Sequence, residues 1–252
     1  MEIVSGRTGK PHVTSQQFRQ IIEGIISDES CILPSGENLE PELVSNNSLK
    51  IRSGMMCHHG NVSSVKIGTY DEVELTNGSQ GMKRIDLIVN RYTRNEEDNT
   101  EKNEWVVIMG TPAESNPVVP EYTQGNLQKG DLVDDCPVFE VHFDGINITE
   151  VTKMLEIAKT NKELTAKLPV YGTTALIETS ANSYKDTTVK FGKTFSKAPF
   201  VLLTLSGGSQ NTKTFAAQVK DVSTTGMTIR TVNGYSSSVS MFINWCAFPK
   251  EK

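Results

Sequence analysis

The sequence predicts a mainly β protein with three parts: an N-terminal β-rich domain carrying a short amphipathic helix, a linker helix, and a C-terminal six-stranded antiparallel β-sandwich. Two observations support this fold class. Short apolar runs separated by Gly, Asn, Ser and Pro fill residues 1–146 and 169–252, as is typical of strands and turns. Residues 147–168 differ, because they are rich in good helix formers and contain no Gly or Pro.

The first predicted element is a helix that begins after Thr14 or Ser15, whose hydroxyl groups are good N-caps. Apolar residues then recur at i, i+3, i+4 and i+7 and form one face: Phe18, Ile21, Ile22 and Ile25. The helix either packs on its own domain or docks on a partner.

Six apolar runs follow and are predicted to be strands: LKIRSGMM, VSSVKIG, EVELTNGSQG, RIDLIVNRYT, EWVVIMGTP and CPVFEVHFDG. Asn77 and Gly78 mark a tight turn, because both residues tolerate a positive φ. The polar segment 94–103 lies between two of the runs. We interpret it as a solvated hairpin loop, since charged segments between strands are usually exposed.

The linker helix is predicted over 147–168. Asn147 and Glu150 resemble a capping box, and Pro169 ends the run. Five residues repeat at spacings of three and four, as in a trimeric coiled-coil seam: Met154, Ile157, Asn161, Leu164 and Leu168. Asn161 would be the polar seam residue that fixes register. A lone linker helix packed on a neighbouring domain explains the same periodicity, so both interpretations stay open.

Composition and charge exclude several function classes. The net charge is −5 and no basic stripe with interleaved aromatic residues occurs, so no nucleic-acid partner is expected. No apolar run approaches the ~20 residues that cross a bilayer, and the N-terminus lacks a signal-peptide core, so no membrane insertion is expected. Four scattered cysteines without a CxxC pair favour a reducing cytoplasm: Cys31, Cys57, Cys136 and Cys246.

The C-terminal part contains residues whose order and spacing resemble an H-type lectin domain. They are Val189–Phe191, Phe195, Pro199–Leu203, Val219–Val222, Thr224–Met227 and Ser240–Trp245. The resemblance implies a six-stranded antiparallel sandwich that assembles as a homotrimer. In sugar-binding members it also implies a site for N-acetylgalactosamine in clefts between protomers. The same fold recurs in tail and baseplate proteins of bacteriophages.

The N-terminal part looks like the first module of tail or baseplate proteins from phages and prophages of Gram-positive bacteria. The resemblance lies in residues 6–14, 44–47, 77–81, 84–92 and 120–123. It implies that residues 1–146 attach the chain to other tail or baseplate proteins. It also implies a location in the virion tail, after assembly in the cytoplasm of the bacterial host. Together the two resemblances imply a trimeric receptor-binding protein that recognises a carbohydrate on the host surface.

The candidate carbohydrate site departs from the resembled family. Sugar-binding members place an Arg before the Val-x-x-Val segment and a His before the Trp strand, where this chain has Thr214 with Phe215, and Tyr235. The polar and aromatic candidates for a sugar are Tyr235, Asn211, Gln210, Thr214 and Ser237. An ordinary polar loop is the alternative. Trp245 is interpreted as a core or trimer-interface residue.

Enzymatic motifs are absent from the sequence. It contains no Gly-x-Ser-x-Gly elbow, phosphate loop or His-Glu-x-x-His helix, so neither an enzyme nor a cofactor is expected. The acidic pairs Glu96–Glu97 and Asp134–Asp135 leave a polysaccharide-degrading tail enzyme as the alternative. A purely structural baseplate component that binds no glycan is another.

The stretch GMMCHHGN, residues 54–61, is the densest cluster of metal-ligating side chains. On an extended backbone Cys57 and His59 share one face and His58 takes the other, so at most two ligands converge. The other histidines, His12 and His142, are distant in sequence. No metal site is therefore expected, unless the fold brings one of these residues or a symmetry-related copy within reach.

Overall fold

The computed structural model describes residues 13–207 and 215–250. It is mainly β with several antiparallel sheets, as predicted. The chain divides into two compact units, Met1–Ala158 and Lys159–Lys252. Neither of the two helices in the described part of the chain is long and apolar enough to cross a membrane.

The first unit contains one helix and eight strands within its described residues. They are α1 (Ser15–Ile25), β1 (Cys31–Leu33), β2 (Pro41–Ser45), β3 (Ser48–His58), β4 (Asn61–Glu74), β5 (Lys83–Arg94), β6 (Glu101–Ile108), β7 (Val133–Asp144) and β8 (Asn147–Lys153). In one sheet β4 runs along one edge of β3, while β2 and β1 lie end to end along the other. The second sheet has the order β6-β5-β7-β8, and all its pairs are antiparallel.

The core of the first unit is made by alternating side chains of both sheets. Its largest fully buried members are Ile32, Leu49, Ile51 and Met56 from β1 and β3, and Ile88, Val138 and Phe139 from β5 and β7. A strand buries every second side chain on one face, so the period of two places Leu49 and Ile51 together. Val138 and Phe139 are consecutive, and both join the core where the pairing of β5 with β7 shifts its register. The polar hairpin loop is confirmed, although β5 and β6 extend into it and leave only residues 95–100 between them.

Helix α1 is confirmed, with Thr14 as its N-cap and Gln17 completing a capping box. Its burial differs from the simple amphipathic expectation. Phe18 is 52% exposed and Ile25 73% exposed, whereas Arg19 is buried and forms an ion pair with Glu101 at 3.2 Å. The apolar face of α1 therefore has little cover from the described part of its own unit.

The linker helix predicted over 147–168 is wrong. Residues 147–153 form β8, which pairs with β7 at the edge of a sheet. A short helix, α2 (Asn161–Lys167), begins only at the capping box that Thr160 makes with Glu163. Helix propensity is a weak preference, and strand pairing overrides it in this segment.

The prediction of a coiled-coil seam is also wrong, because the long helix that would carry it does not form. Met154 and Ile157 precede the helix, and Ile157 forms a parallel bridge with Ile32. Only Asn161 and Leu164 lie within α2, and Leu168 is its C-cap. A helix of 7 residues cannot present the five positions as one continuous stripe.

The second unit contains seven strands that fill six strand positions in its described residues. They are β9 (Val170–Thr173), β10 (Ile177–Thr179), β11 (Ser183–Lys190), β12 (Phe200–Ser206), β13 (Phe215–Val222), β14 (Gly226–Asn233) and β15 (Val239–Phe248). Strands β9 and β10 lie end to end along one edge of β15, and β12 lies along the other. The second sheet has the order β11-β14-β13.

The core of the second unit lies between its two sheets. Ile229 from one sheet and Ile243 from the other are fully buried. Trp245 is 9% exposed and lies in this core, with its ring centroid 5.7 Å from that of Phe191. Gly172 faces the indole so closely that a Cβ there would lie 2.8 Å from a ring carbon.

Candidate functional site

A groove on the outer face of the β11-β14-β13 sheet combines an exposed aromatic ring with several hydrogen-bonding groups. Its lining residues are Asn182, Ser183, Tyr184, Gln218, Arg230, Val232, Asn233 and Gly234. The antiparallel register places Asp186, Arg230 and Gln218 in one row across the three strands. Tyr184 is 60% exposed at the groove. Ring faces and convergent polar groups are the means by which proteins bind sugars and similar ligands.

Arg230 fixes the charged part of this groove. Its Nε and one terminal nitrogen donate hydrogen bonds of 2.7 and 2.8 Å to the two oxygens of Asp186. Lys220 donates a third, of 2.9 Å. The Arg230 and Lys220 side chains hold the pKa of Asp186 well below its usual range. The Arg230 guanidinium also lies 4.2 Å from the centroid of the Tyr184 ring, so one residue orients both the carboxylate and the aromatic group.

A buried asparagine holds the loop beside the groove. The amide nitrogen of the Asn233 side chain donates to the carbonyl oxygens of Thr179, Ser180 and Ser237, at 2.9–3.0 Å. Its side-chain oxygen accepts a 2.9 Å bond from the Tyr235 amide. The loop is therefore fixed by a residue that is almost fully buried, since Asn233 is 1% exposed.

The predicted carbohydrate-binding residues divide into two groups. Tyr235 and Ser237 lie together in this loop, and the Tyr235 ring packs partly on the core of the unit. Gln210, Asn211 and Thr214 lie outside the described residues.

Tyr184, Asp186 and Arg230 were missed by the sequence reasoning. The alternation of side chains along each strand places these three residues on the solvent-exposed face of the sheet. Their meeting depends on the register of β11 with β14, however, which the sequence does not display.

The other sheet of the second unit has an exposed apolar outer face. Tyr171 is 82% exposed and lies beside Cys246 and Leu202 in one row. The cross-strand pair Phe200 and Phe248 extends the face, with exposures of 56% and 37%. Isolated exposed apolar residues are ordinary, but a contiguous patch on a sheet is typical of an interaction surface.

The acidic pair Asp134–Asp135 does not form a pair of facing carboxylates. Asp135 accepts two hydrogen bonds from Arg91, at 2.6 and 2.8 Å. Asp134 faces the histidines of the β3–β4 turn instead. Glu96 and Glu97 lie in the exposed loop between β5 and β6. Each buried carboxylate thus has its own cationic or imidazole partner.

The GMMCHHGN stretch folds differently from the alternating strand that was expected. His58 ends β3 and Asn61 begins β4, so His59 and Gly60 form a two-residue turn, with φ angles of 47° and 72°. Two positive φ angles are typical of a type I′ hairpin turn. The turn ends the alternation at His58, and the rings of His58 and His59 stack with centroids 3.9 Å apart. The expectation that these two histidines point to opposite faces is therefore wrong.

Both histidines of the turn face Asp134 on β7. His59 Nδ1 and His58 Nε2 lie 2.7 and 3.0 Å from the same oxygen, Asp134 Oδ2. The other oxygen accepts a 2.8 Å bond from the Gly125 amide. Burial alone would raise the pKa of Asp134, but the two histidines and the Gly125 amide outweigh it and lower the pKa. The hydrogen bond with Asp134 raises the pKa of His59.

His142, the remaining histidine in the described part of the chain, does not join this cluster. His142 forms a separate pair with Glu140, at 3.2 Å. His12 lies outside the described residues.

Comparison with known proteins identifies one domain family. Residues 186–248 match the H-type lectin domain, which is a non-catalytic carbohydrate-binding module. The match covers a quarter of the 252 residues. It includes Asp186, Arg230, Tyr235 and Trp245, and it begins two residues after Tyr184. No curated protein matches the chain.

Two solved structures show weak similarity. The tailspike protein gp49 from Pseudomonas phage LKA1 is 23% identical over 39% of this chain, with a TM-score of 0.30, and the chain spans only 18% of the tailspike. Discoidin II of Dictyostelium discoideum is 10% identical over 80% of this chain and 83% of its own, with a TM-score of 0.29. Overlays at this level identify neither a shared fold nor a shared activity.

Proposed function

We propose that this protein is a carbohydrate-binding receptor protein of a phage or prophage tail. The observation that carries the proposal is the H-type lectin domain at residues 186–248, since the members of that family bind sugars and the domain here is folded as two packed sheets. The role in a tail rests on the resemblance of the N-terminal residues to tail and baseplate modules. In this proposal the first unit attaches to the virion and the second binds the host surface.

The sugar binds at the groove beside the Tyr235 loop in this proposal. The exposed ring of Tyr184 can pack on the C–H face of a sugar, while Gln218 and Ser183 can exchange hydrogen bonds with its hydroxyl groups. The Asp186–Arg230 pair supplies a fixed acceptor and donor at one end of the row. Tyr235 and Ser237 contribute from the loop that follows Asn233. Gln210, Asn211 and Thr214 remain sequence-based candidates for contacts with the same sugar.

In this proposal, a homotrimer covers the apolar outer face of the sheet in which β9 and β12 flank β15. The support is the exposure of Tyr171, Phe200 and Leu202, which a monomer leaves in water. Copies of the same chain are the proposed occupants, because oligomers of one chain bury such faces symmetrically. Three sites on one trimer would raise the avidity for a repetitive glycan without any new contact.

The first unit also has an exposed apolar surface, which the proposal assigns to attachment to the tail. Phe18, Ile21 and Ile25 on α1 are between 42% and 73% exposed, so the helix offers an apolar stripe to a partner. In the proposal this stripe docks on another tail or baseplate protein.

A glycan array probed with the full-length chain tests the proposed function. We expect binding to a subset of bacterial cell-wall glycans, and weaker binding after Tyr235→Ala or Asn211→Ala. Tyr122→Ala removes a half-exposed tyrosine of the first unit and serves as the matched control. A chain that binds no glycan and no host cell would leave a purely structural baseplate role. Release of reducing ends from the bound glycan would instead favour the polysaccharide-degrading enzyme.

A further inference from the structure

Three metal-ligating side chains converge at the β3–β4 turn of the first unit. Within the described part of the chain, His58, His59 and Asp134 each direct one ligand atom into a space where all three atoms lie within 4.8 Å of one another. They come from two sheets, because the histidines lie at the end of β3 and in its turn, whereas Asp134 lies on β7.

His58 Nε2 has no hydrogen bond of its own. It lies 3.0 Å from Asp134 Oδ2, yet the direction of that contact is unsuitable, and no other described group serves as its partner. The side chain is only 9% exposed, so water does not readily replace the missing bond. Leaving a buried polar atom unpaired costs roughly 1–3 kcal/mol, which indicates that something else belongs at this nitrogen.

The surroundings hold the three ligands in orientations that suit a cation. Ser30 Oγ lies 2.6 Å from His58 Nδ1 and can accept a hydrogen bond from Nδ1–H, which leaves the lone pair of Nε2 directed into the cluster. The Gly125 amide holds Asp134 Oδ1 and leaves Oδ2 for the two histidines. Gly60 packs against α1 so closely that a Cβ would meet the Arg19 carbonyl oxygen at 2.4 Å, which fixes the turn carrying His59.

We propose that His58 Nε2, His59 Nδ1 and Asp134 Oδ2 bind a divalent transition-metal ion, of which Zn²⁺ is the best match. Two imidazoles and one carboxylate form a ligand set that suits zinc. Ligand atoms around a tetrahedral zinc ion lie about 3.3 Å apart. The N···O separations of 2.7 and 3.0 Å would have to widen by about 0.6 and 0.3 Å, through rotations about the side-chain torsions of the ligands.

The ion would cross-link the two sheets of the first unit. His59 is 39% exposed at its side chain, so a water molecule can complete the fourth position from the solvent side. Since the metal binds the folded arrangement and not the unfolded chain, it would raise the free energy of unfolding by an amount that grows with the logarithm of its concentration above the dissociation constant. The proposed role is structural, in the module that the proposed function assigns to attachment.

The test uses the full-length chain without an affinity tag, freed of metal with EDTA and titrated with zinc chloride by calorimetry. His59→Asn is the most informative variant, because Asn tolerates the positive φ of the turn and Asn-Gly favours the type I′ geometry. Asp134→Asn removes the negative charge of the carboxylate ligand. His142→Asn is the matched control, since His142 pairs with Glu140 outside the cluster.

We expect one zinc ion per wild-type chain and an increase in melting temperature on adding zinc. His59→Asn and Asp134→Asn should weaken binding at least about tenfold, since even outer groups of metal sites contribute that much. His142→Asn should bind as the wild type does. The site is overturned by a wild-type chain that binds no zinc, by a His59→Asn chain that binds as tightly, or by an equal loss in His142→Asn.

Discussion

Arg230 and Asp186 form a two-pronged ion pair across β14 and β11, with N–H···O distances of 2.7 and 2.8 Å. The same guanidinium lies against the Tyr184 ring, so the pair and the exposed aromatic group form one unit of the groove. This relationship ties the electrostatics of the lectin-like domain to its candidate ligand surface. A substitution of Asp186 therefore tests both the ion pair and the candidate ligand surface.

Carbohydrate binding through this groove should persist at mildly acidic pH. Arg230 and Lys220 lower the pKa of Asp186 in the folded chain. A lowered pKa means that the contribution of the carboxylate is complete above its unfolded value of about 3.9 and is lost only as the pH falls through the folded value. We expect the same affinity at pH 7 and at about pH 5, measured on an immobilised glycan. Loss of binding with a midpoint above pH 5 would contradict the role of this pair, whereas Asp186→Asn should weaken binding at both pH values.

The buried ion pair Arg84–Asp86 should be a major determinant of the stability of the first unit. Arg84 Nε lies 2.7 Å from Asp86 Oδ1, both residues are at most 3% exposed, and Asp86 also accepts a bond from the Gly110 amide. Removal of one partner leaves a buried charge unpaired, so Asp86→Ala should lower the free energy of unfolding by about 3–5 kcal/mol.

The exposed ion pair Lys83–Asp144 provides the control for that experiment. Its side chains are 48% and 58% exposed, so Asp144→Ala should cost only about 0–1 kcal/mol. Urea unfolding followed by Trp105 fluorescence in a Trp245→Phe background reports on the first unit alone. Equal losses in the two variants would contradict the assignment of Asp86 to a buried network.

The cysteines should differ in their reactivity toward iodoacetamide. Burial raises the pKa of Cys57 to about 11 and that of Cys136 to about 12, and both are 0% exposed, so neither is a thiolate at neutral pH. Cys246 is half-buried on the outer face of β15. We expect Cys246 to be alkylated in the dissociated Leu202→Glu chain and to be shielded by the trimer contact in the wild type, because it lies beside Leu202. Cys57 and Cys136 should be alkylated only in urea, as peptide mass spectrometry can show. Alkylation of Cys57 at the rate of Cys246 would refute this order.

The apolar face of the second unit should control the oligomeric state. We expect the wild type to sediment as a trimer at micromolar concentration. Leu202→Glu should dissociate it, because a charge would be buried at the contact. Val118→Glu places the same charge on a residue that is 77% exposed in the first unit, and should leave the trimer intact. A wild-type monomer would rule out the trimer.

Hydrophobic periodicity predicted the parts of the fold that local sequence controls. The existence of helix α1 and the burial of Leu49 and Ile51 on β3 follow from periods of 3.6 and two. It failed at residues 147–153, because their pairing with β7 across the two-residue turn 145–146 outweighs their helix propensity.

The groove and the histidine cluster depend on structural features that hydrophobic periodicity does not predict. A type I′ turn at His59 reversed the expected facing of the two histidines. The row of Asp186 and Arg230 required the register of β11 with β14. Asp134 reached the turn only because the two sheets of the first unit pack together, across 75 residues of sequence. Such sites are visible once tertiary contacts are known, and the types of residue alone do not predict them.

Calorimetric binding of the glycan selected on the array is the most direct test of carbohydrate recognition by the lectin-like unit. The full-length wild type and Tyr122→Ala should bind it with equal affinity. Tyr184→Ala should bind about tenfold more weakly, since an aromatic contact contributes roughly 0.5–1.5 kcal/mol beyond its buried area. If the wild type shows no heat of binding with any host cell-wall glycan, carbohydrate recognition is contradicted; if Tyr184→Ala binds as tightly as the wild type, the groove is not the site.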